Sequence, residues 1–393
     1  MTTTIVVSGS THALGVVRGL GRKGVPVVVV SYDNRDIATN SRFVRDVFRA
    51  PHPDKDEAGF IEVLLEASRR HPHSLLVPAA DSALQPIARH KLILEDAGMI
   101  VATMDEDVTD VLLNKVKTFA LARSAGVPSP ATYAPENEEE VRALCTTLKF
   151  PAVLKPALSH RYRELIGEKW TQVDSPEQAL RAYSVARSLS LEVVLQELIP
   201  GDELCGAVYN SYFWNGEPIV EFTSRKLRNS PPDTGSPSVV RSEWIPDVVE
   251  YGRRMLRAAK FSGYSCTEFK QDPRDGEYKL MEVNARHNLS SLLATRCGIN
   301  FPWLQYQHLV KGQVPEQDDY ESGMYWIDVT RDVQNIRHYL RRPGYSLGRF
   351  LEPYRRPHIF AVLDRHDPGP AVRRTADTVR VAAERARKKF GGR

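Results

Sequence analysis

The chain has 393 residues, a formal net charge of +4, 42% hydrophobic and 26% charged residues. That balance excludes a disordered or fibrous chain, gives no ground for a nucleic-acid partner, and predicts two to four folding units with ample core. No window reaches the ~18 consecutive apolar residues of a membrane span, and Cys145, Cys205, Cys266 and Cys297 fit no metal-binding spacing, so a reduced, soluble, cytoplasmic protein is expected.

In chain order, Thr4 to Val7 reads as a short buried strand, Ser8 to His12 as a turn, Ala13 to Lys23 as a helix and Val25 to Val30 as a second strand. Phe60 to Arg70 is helical by period, Ser74 to Val77 a third strand, Asp81 to His90 a helix and Met99 to Ala102 a fourth strand. Strands rich in β-branched residues that alternate with helices predict a parallel doubly wound α/β sheet. Asp107 to Ala125 reads as one helix that ends at Gly126, with Pro128 beyond. Ala152 to Lys155 and Leu191 to Gln196 are strands around a helix from Pro176 to Leu189 with Ser175 as N-cap. From there to Asn284 strands dominate, broken by a helix over Asp247 to Ala259 and by a loop at Pro231 to Pro237. After residue 319 a strand-like segment (Met324 to Val329) precedes a basic helix (Ala376 to Lys389). The change from α/β to α+β predicts a domain boundary near residue 110; with the resemblance described below, four segments are expected: 1–110, 111–190, 191–318 and 319–393.

The most informative stretch runs from Cys266 to Arg286, two strand-like runs around Pro273-Arg274-Asp275-Gly276. A hairpin centred near Asp275 sets Glu268 opposite Glu282. Two carboxylates ~5 Å apart repel, and a divalent cation between them turns repulsion into binding. By strand alternation Glu282, Asn284 and Arg286 share one face, while Met281 and Val283 point into a core. Two carboxylates and an amide oxygen suit Mg²⁺, and the guanidinium suits a phosphate or a developing oxyanion. The bland alternative is a solvated surface hairpin.

Glu268 followed by Glu282-Val283-Asn284-Ala285-Arg286 resembles the ATP-grasp superfamily, in which two acidic residues on adjacent strands bind metal and the second opens a Glu-x-Asn pattern. The resemblance implies a pre-ATP-grasp α/β domain followed by an α+β ATP-grasp fold. It implies Glu268, Glu282 and Asn284 as ligands of Mg²⁺, two ions being typical and Mn²⁺ an alternative, and Arg286 as the residue that steadies an acyl phosphate. Asn114-Lys115, Phe150 to Pro156 with Lys155, Gln196-Glu197-Leu198-Ile199-Pro200-Gly201-Asp202-Glu203 and Lys226 follow in the family's order. They imply that Lys115, Lys155 and Lys226 hold ATP phosphates, with Lys226 also catalytic. Gln196 opens the hinge segment and is expected to contact the nucleotide, while Glu197 and Ile199 present backbone groups to adenine and Glu203 takes the ribose. Arg225-Lys226-Leu227-Arg228, Pro231 to Gly235 and Gly298 to Pro302 resemble the D-aspartate ligase group. The segment after Lys155 departs from the Gly-rich lid of many relatives; it is basic, with Lys169 as a lid cation.

Outside these motifs, His12, Asp81, Ser82, Arg228, His287 and Asn288 are expected at the substrate. Loops at the carboxyl ends of parallel strands hold ligands, although Asp81 also suits an N-cap. Gly9, Gly15 and Gly19 lack the G-x-G-x-x-G spacing and read better as a tight turn than as a dinucleotide site. The expected activity is ATP-dependent joining of a small-molecule carboxylate to an amine through an acyl phosphate, with bicarbonate chemistry or a non-catalytic nucleotide-binding protein as alternatives. A symmetric homodimer is the default assembly.

Overall fold

The computed structural model describes residues 1–390 apart from 35, 158–165 and 167–169. Two compact units emerge. One comprises Met1–Thr103, Leu227–Glu243 and Arg286–Arg393; the other comprises Met104–Lys226 and Trp244–Ala285. The four consecutive segments expected from composition are thus replaced by two discontinuous units, with a first boundary at 103 instead of 110.

The first unit opens with β1 (Thr4–Val7), α1 (Thr11–Gly21), β2 (Val27–Ser31), β3 (Val44–Arg49), α2 (Glu57–Arg70), β4 (Leu75–Pro78), α3 (Asp81–Arg89), α4 (Lys91–Asp96) and β5 (Ile100–Val101). The strands form a parallel sheet ordered β3-β2-β1-β4-β5. β1, β2 and β4 are buried along their whole length, as a parallel sheet covered on both faces requires. The sequence reading missed β3. Its VRDVFR sequence sits at the sheet edge with mixed exposure, so no apolar run announces it.

The second unit begins with α5 (Glu106–Leu113) and α6 (Lys115–Ser124) where one helix was expected. Asn114 breaks the stretch: its backbone is extended and its Oδ1 accepts from Val116 N at 2.9 Å and Lys117 N at 3.4 Å, capping α6. There follow β6 (Thr132–Tyr133), α7 (Glu138–Leu144), β7 (Ala152–Pro156), β8 (Thr171–Val173), α8 (Pro176–Ser188), β9 (Val193–Glu197), β10 (Gly206–Trp214) and β11 (Glu217–Ser230). Along β11 the chain passes into the first unit, where β12 (Ser236–Ser242) lies; it returns with α9 (Pro246–Ala258), β13 (Gly263–Gln271) and β14 (Tyr278–Asn284). An antiparallel sheet β6-β9-β7-β8 packs Leu154 and Leu195 against Val141 and Tyr183 of α7 and α8. Antiparallel strands β14-β13-β10-β11 place Tyr209, Phe269 and Leu280 in a core with Met255 of α9 and Leu112 of α5.

The first unit closes with α10 (Ser291–Arg296), α11 (Phe301–Lys311), β15 (Tyr325–Ile327), α12 (Val329–Val333), α13 (Ile336–Leu340), α14 (Leu347–Arg355), β16 (His358–Phe360) and α15 (Gly369–Phe390). α1 accepts this return through two glycines. A Cβ on Gly15 would meet Ser291 Oγ at 2.2 Å, and one on Gly19 would meet Asn300 Oδ1 at 2.8 Å. Arg18 on α1 is sealed from solvent: Nε donates to Asp367 Oδ2 at 2.9 Å and Nη2 to the Val362 carbonyl at 2.8 Å. Ser41 Oγ and the Arg42 N–H also donate to the Asp367 carboxylate, each at 2.8 Å. The C-terminal stretch is therefore part of the N-terminal unit's core, supplying through Asp367 the carboxylate that the buried Arg18 guanidinium needs.

Candidate active site

In the second unit the β13–β14 ladder sets Glu268 directly opposite Glu282, and Cys266 opposite Asn284. Beyond Glu268 the register shifts, with Phe269 pairing with Leu280. Met281 is the extra residue of a bulge. The core accordingly takes Tyr278, Leu280 and Val283. Met281, expected there by simple alternation, is only half-buried. The bulge preserves the pairing that matters, with Glu268, Glu282 and Asn284 near the end of the hairpin remote from its turn.

Lysines surround these carboxylates. Lys226 on β11 pairs with Glu268, and Lys115 Nζ at the start of α6 lies 3.9 Å from Glu282 Oε1. Burial works against the charge of Lys226, but Glu268 outweighs it and raises the lysine's pKa. Lys155 on β7 behaves oppositely: burial, then the neighbouring Lys115, lower it from 10.5 to about 8. Gly206 makes space for Lys226, since a Cβ there would come within 2.9 Å of the lysine Cδ. Among the described residues no group of three or more His, Cys, Asp or Glu could hold a metal ion. A cation here would rest on two carboxylates and the Asn284 amide oxygen, hard donors that suit Mg²⁺ with further oxygens from a nucleotide.

The expected hinge is bound into both sheets of this unit. Gln196 is buried, accepting from Lys155 Nζ at 2.7 Å and donating to Thr132 Oγ1 at 2.7 Å. It positions the lysine, a role different from the nucleotide contact expected of it. Glu197 donates its N–H to the Ala131 carbonyl at 2.9 Å, and its side chain accepts from Arg274 at 2.5 Å. The Ile199 carbonyl accepts from Lys270 Nζ at 2.9 Å. Glu203 is buried in a short 3₁₀ turn, Glu203–Cys205, capped by Asp202. Sequence reasoning missed Thr132, Gly206, Lys270 and Arg274. Lys270 had a readable signal, two positions from Glu268 on the same strand. Thr132 and Gly206 act through neighbours remote in sequence, and Arg274 joins remote Glu197 to nearby Asp272. Lys169, the expected lid cation, lies outside the described residues, as do residues 158–165.

In the first unit, Asp81 opens α3 and binds Arg286 bidentately, Oδ1 to Nε at 2.8 Å and Oδ2 to Nη2 at 2.7 Å. Asp81 is thereby an arginine partner. Ser82 Oγ is 3.0 Å from Tyr32 Oη, and His12 Nδ1 is 3.3 Å from Ser10 Oγ. These groups follow β1, β2 and β4 at the carboxyl edge of the parallel sheet, where ligands of such folds bind. A Cβ on Gly9 would sit 2.2 Å from the Asp36 Cβ, so the glycine of this turn serves close packing by Asp36 instead of a dinucleotide.

Three further expectations are corrected. Arg228 is buried, its Nε and Nη2 on the Asp332 carboxylate at 2.7 and 2.8 Å and Nη1 on Tyr345 Oη at 3.0 Å. It anchors α12 to β11 and is not a substrate group. His287 is buried with Nε2 3.1 Å from Gln305 Oε1, and burial lowers its pKa to about 4. Asn288 is likewise buried, donating to Ser290 Oγ at 3.3 Å. Both belong to the packing after Arg286.

No protein-family model matches the chain. Over 274 residues it is 27% identical to the D-aspartate ligase of Enterococcus faecium, a region covering 64% of this chain and 63% of that protein. D-alanine–D-alanine ligase B of Pseudomonas syringae is 22% identical over 211 residues, 49% of this chain and 61% of that protein. The match thus spans less than two thirds of the length of these relatives. The L-amino acid ligase of Bacillus licheniformis superposes with a TM-score of 0.62 at 18% identity, covering 79% of this chain and 74% of that one. The chain shares the fold of the ATP-grasp structures. A second ATP-grasp likeness, to N5-carboxyaminoimidazole synthetase of Staphylococcus aureus, has a TM-score of 0.65 at 12% identity over 87% of this chain and 86% of that one.

Proposed function

We propose that this protein is an ATP-dependent carboxylate–amine ligase with an amino acid as one substrate, releasing ADP and phosphate. The observation that supports it most is the opposed pair Glu268 and Glu282, with Asn284 beside them and Lys115, Lys155 and Lys226 around them. The names of the relatives, D-aspartate ligase and D-alanine–D-alanine ligase, point the same way.

In this reading Lys115, Lys155 and Lys226 bind the phosphates of ATP, and Gln196 holds Lys155 in place. With the Ile199 carbonyl engaged by Lys270, the Ile199 N–H meets the adenine edge together with a backbone group of Glu197, while Glu203 binds the ribose. Mg²⁺, one or two ions, would be held by Glu268, Glu282 and Asn284 and would neutralise charge on the transferring phosphoryl group. The substrate carboxylate attacks the γ-phosphorus, giving an acyl phosphate and ADP. The amine then attacks the acyl carbon, and phosphate leaves. Arg286 steadies the acyl phosphate and the oxyanion, and Lys226 assists the transfer. Ser82 and His12 bind substrate. Positioning and fixed charge carry most of the catalysis.

The test is phosphate release from ATP and Mg²⁺ across a panel of amino acids and amines, for the wild type and Glu282→Gln. We expect release to require one carboxylate–amine pair and the variant to lose at least about 100-fold. Release that needs bicarbonate and no amine would replace the ligase by a carboxylase. ATP binding with no turnover on any pair would count against catalysis.

A further inference from the structure

We infer that Asp81 is a positioning residue for Arg286, holding the guanidinium in the orientation the ligase reaction needs; the inference rests on the ligase reading above. Asp81 stands in the first turn of α3, directly after β4, where the helix terminus favours its negative charge. Both of its oxygens are used, Oδ1 by Nε at 2.8 Å and Oδ2 by Nη2 at 2.7 Å. A two-point contact between planar groups fixes the plane of the guanidinium as well as its place. The gripped edge is the Nε–Nη2 edge. Nη1 lies on the side away from the carboxylate, where it donates to the His287 carbonyl at the long distance of 3.4 Å. Asp81 therefore fixes the orientation of the Arg286 guanidinium through its Nε–Nη2 edge.

Two arginine–aspartate pairs of the same unit are sealed, whereas this pair, like Arg342–Asp233, is open. Arg18–Asp367 is 1% and 0% exposed and Arg228–Asp332 is 2% and 0%. Those are sealed and serve the fold. Asp81 and Arg286 are 35% and 12% exposed, open enough for a small molecule to reach.

The experiment uses the full chain and the substrate pair found in the panel. It compares wild type, Asp81→Asn and Asp81→Glu in kcat, in the KM of each substrate, and in phosphate released per amide formed. Asparagine keeps the size but loses the charge and one acceptor. It should lower kcat by roughly 100-fold, leave the KM for ATP unchanged and raise the phosphate-to-amide ratio well above one, because a loosely held acyl phosphate is lost to water. Asp81→Glu, which keeps the charge and both oxygens, should recover part of kcat, and both variants should melt close to wild type. Unchanged kcat and ratio in Asp81→Asn would overturn the positioning role alone, as would a fall in kcat with the ratio still near one. A wild type inert toward every pair would overturn the ligase reading and this role with it.

Discussion

Lys155 shows how far a single residue's environment departs from what its sequence context conveys. In the sequence it is a lysine at the end of a strand, and such a residue is usually a solvated end. In the structure burial, and next Lys115, depress its pKa from 10.5 to about 8. Between about pH 8 and 10.5 the unfolded chain holds this proton and the folded chain does not, so this residue makes stability rise with pH across that window. Nucleotide phosphates would act in the opposite direction, favouring the charged form. ATP affinity should therefore weaken as pH climbs past about 8, and binding near pH 8.5 should take up protons. Calorimetry in two buffers of different ionisation enthalpy measures that uptake. Lys155→Arg, charged throughout, should bind without it. An uptake that is absent in wild type, or that persists in Lys155→Arg, would remove Lys155 from the phosphate site.

Among the elements, the break at Asn114 places a proposed phosphate lysine. One continuous helix would bury the Lys115 backbone in a helix interior. The extended Asn114 makes Lys115 the first residue of α6, with its N–H donated to the Ala157 carbonyl at 3.2 Å. Asn114→Ala should cost about 1 kcal/mol of stability by urea unfolding, and it should weaken ATP binding beyond that loss if the cap sets the lysine. Equal ATP affinity in wild type and variant would make the cap purely structural. The break was not legible because Asp107 to Ala125 keeps an unbroken helical period, and asparagine is a helix residue or a cap depending on its backbone angles. The Glu268–Glu282 pairing was legible because a turn sequence and strand alternation suffice to set the register. The bulge at Met281 was not, since an extra residue in one strand leaves no mark on composition.

For the whole molecule, the C-terminal stretch is no appendage. Residues after 318 supply Asp367 to the buried Arg18, Asp332 to the buried Arg228, and the strands β15 and β16. Removing one member of a sealed pair costs on the order of 3–5 kcal/mol, and truncation after residue 318 removes two carboxylates at once. We expect the truncated chain to fail to fold, by circular dichroism and size exclusion, and Asp367→Ala alone to lose about 3 kcal/mol or more. A truncated chain that melts cooperatively near wild type would restore the independent extension expected from sequence.

By itself the sequence determined four of the five parallel strands of the first hundred residues, the pairing that opposes Glu268 and Glu282, and the order of lysines before it. These follow from short-range rules: apolar period, turn residues and alternation along a strand. Tertiary structure decided which charges meet. That Asp81 grips Arg286, that Asp332 takes Arg228 out of contact with substrate, that Gln196 serves Lys155, and that His287 is buried against Gln305 all depend on residues 18 to 205 positions apart. A buried charge or amide must find a partner wherever the fold brings one, and local sequence does not record which partner that is.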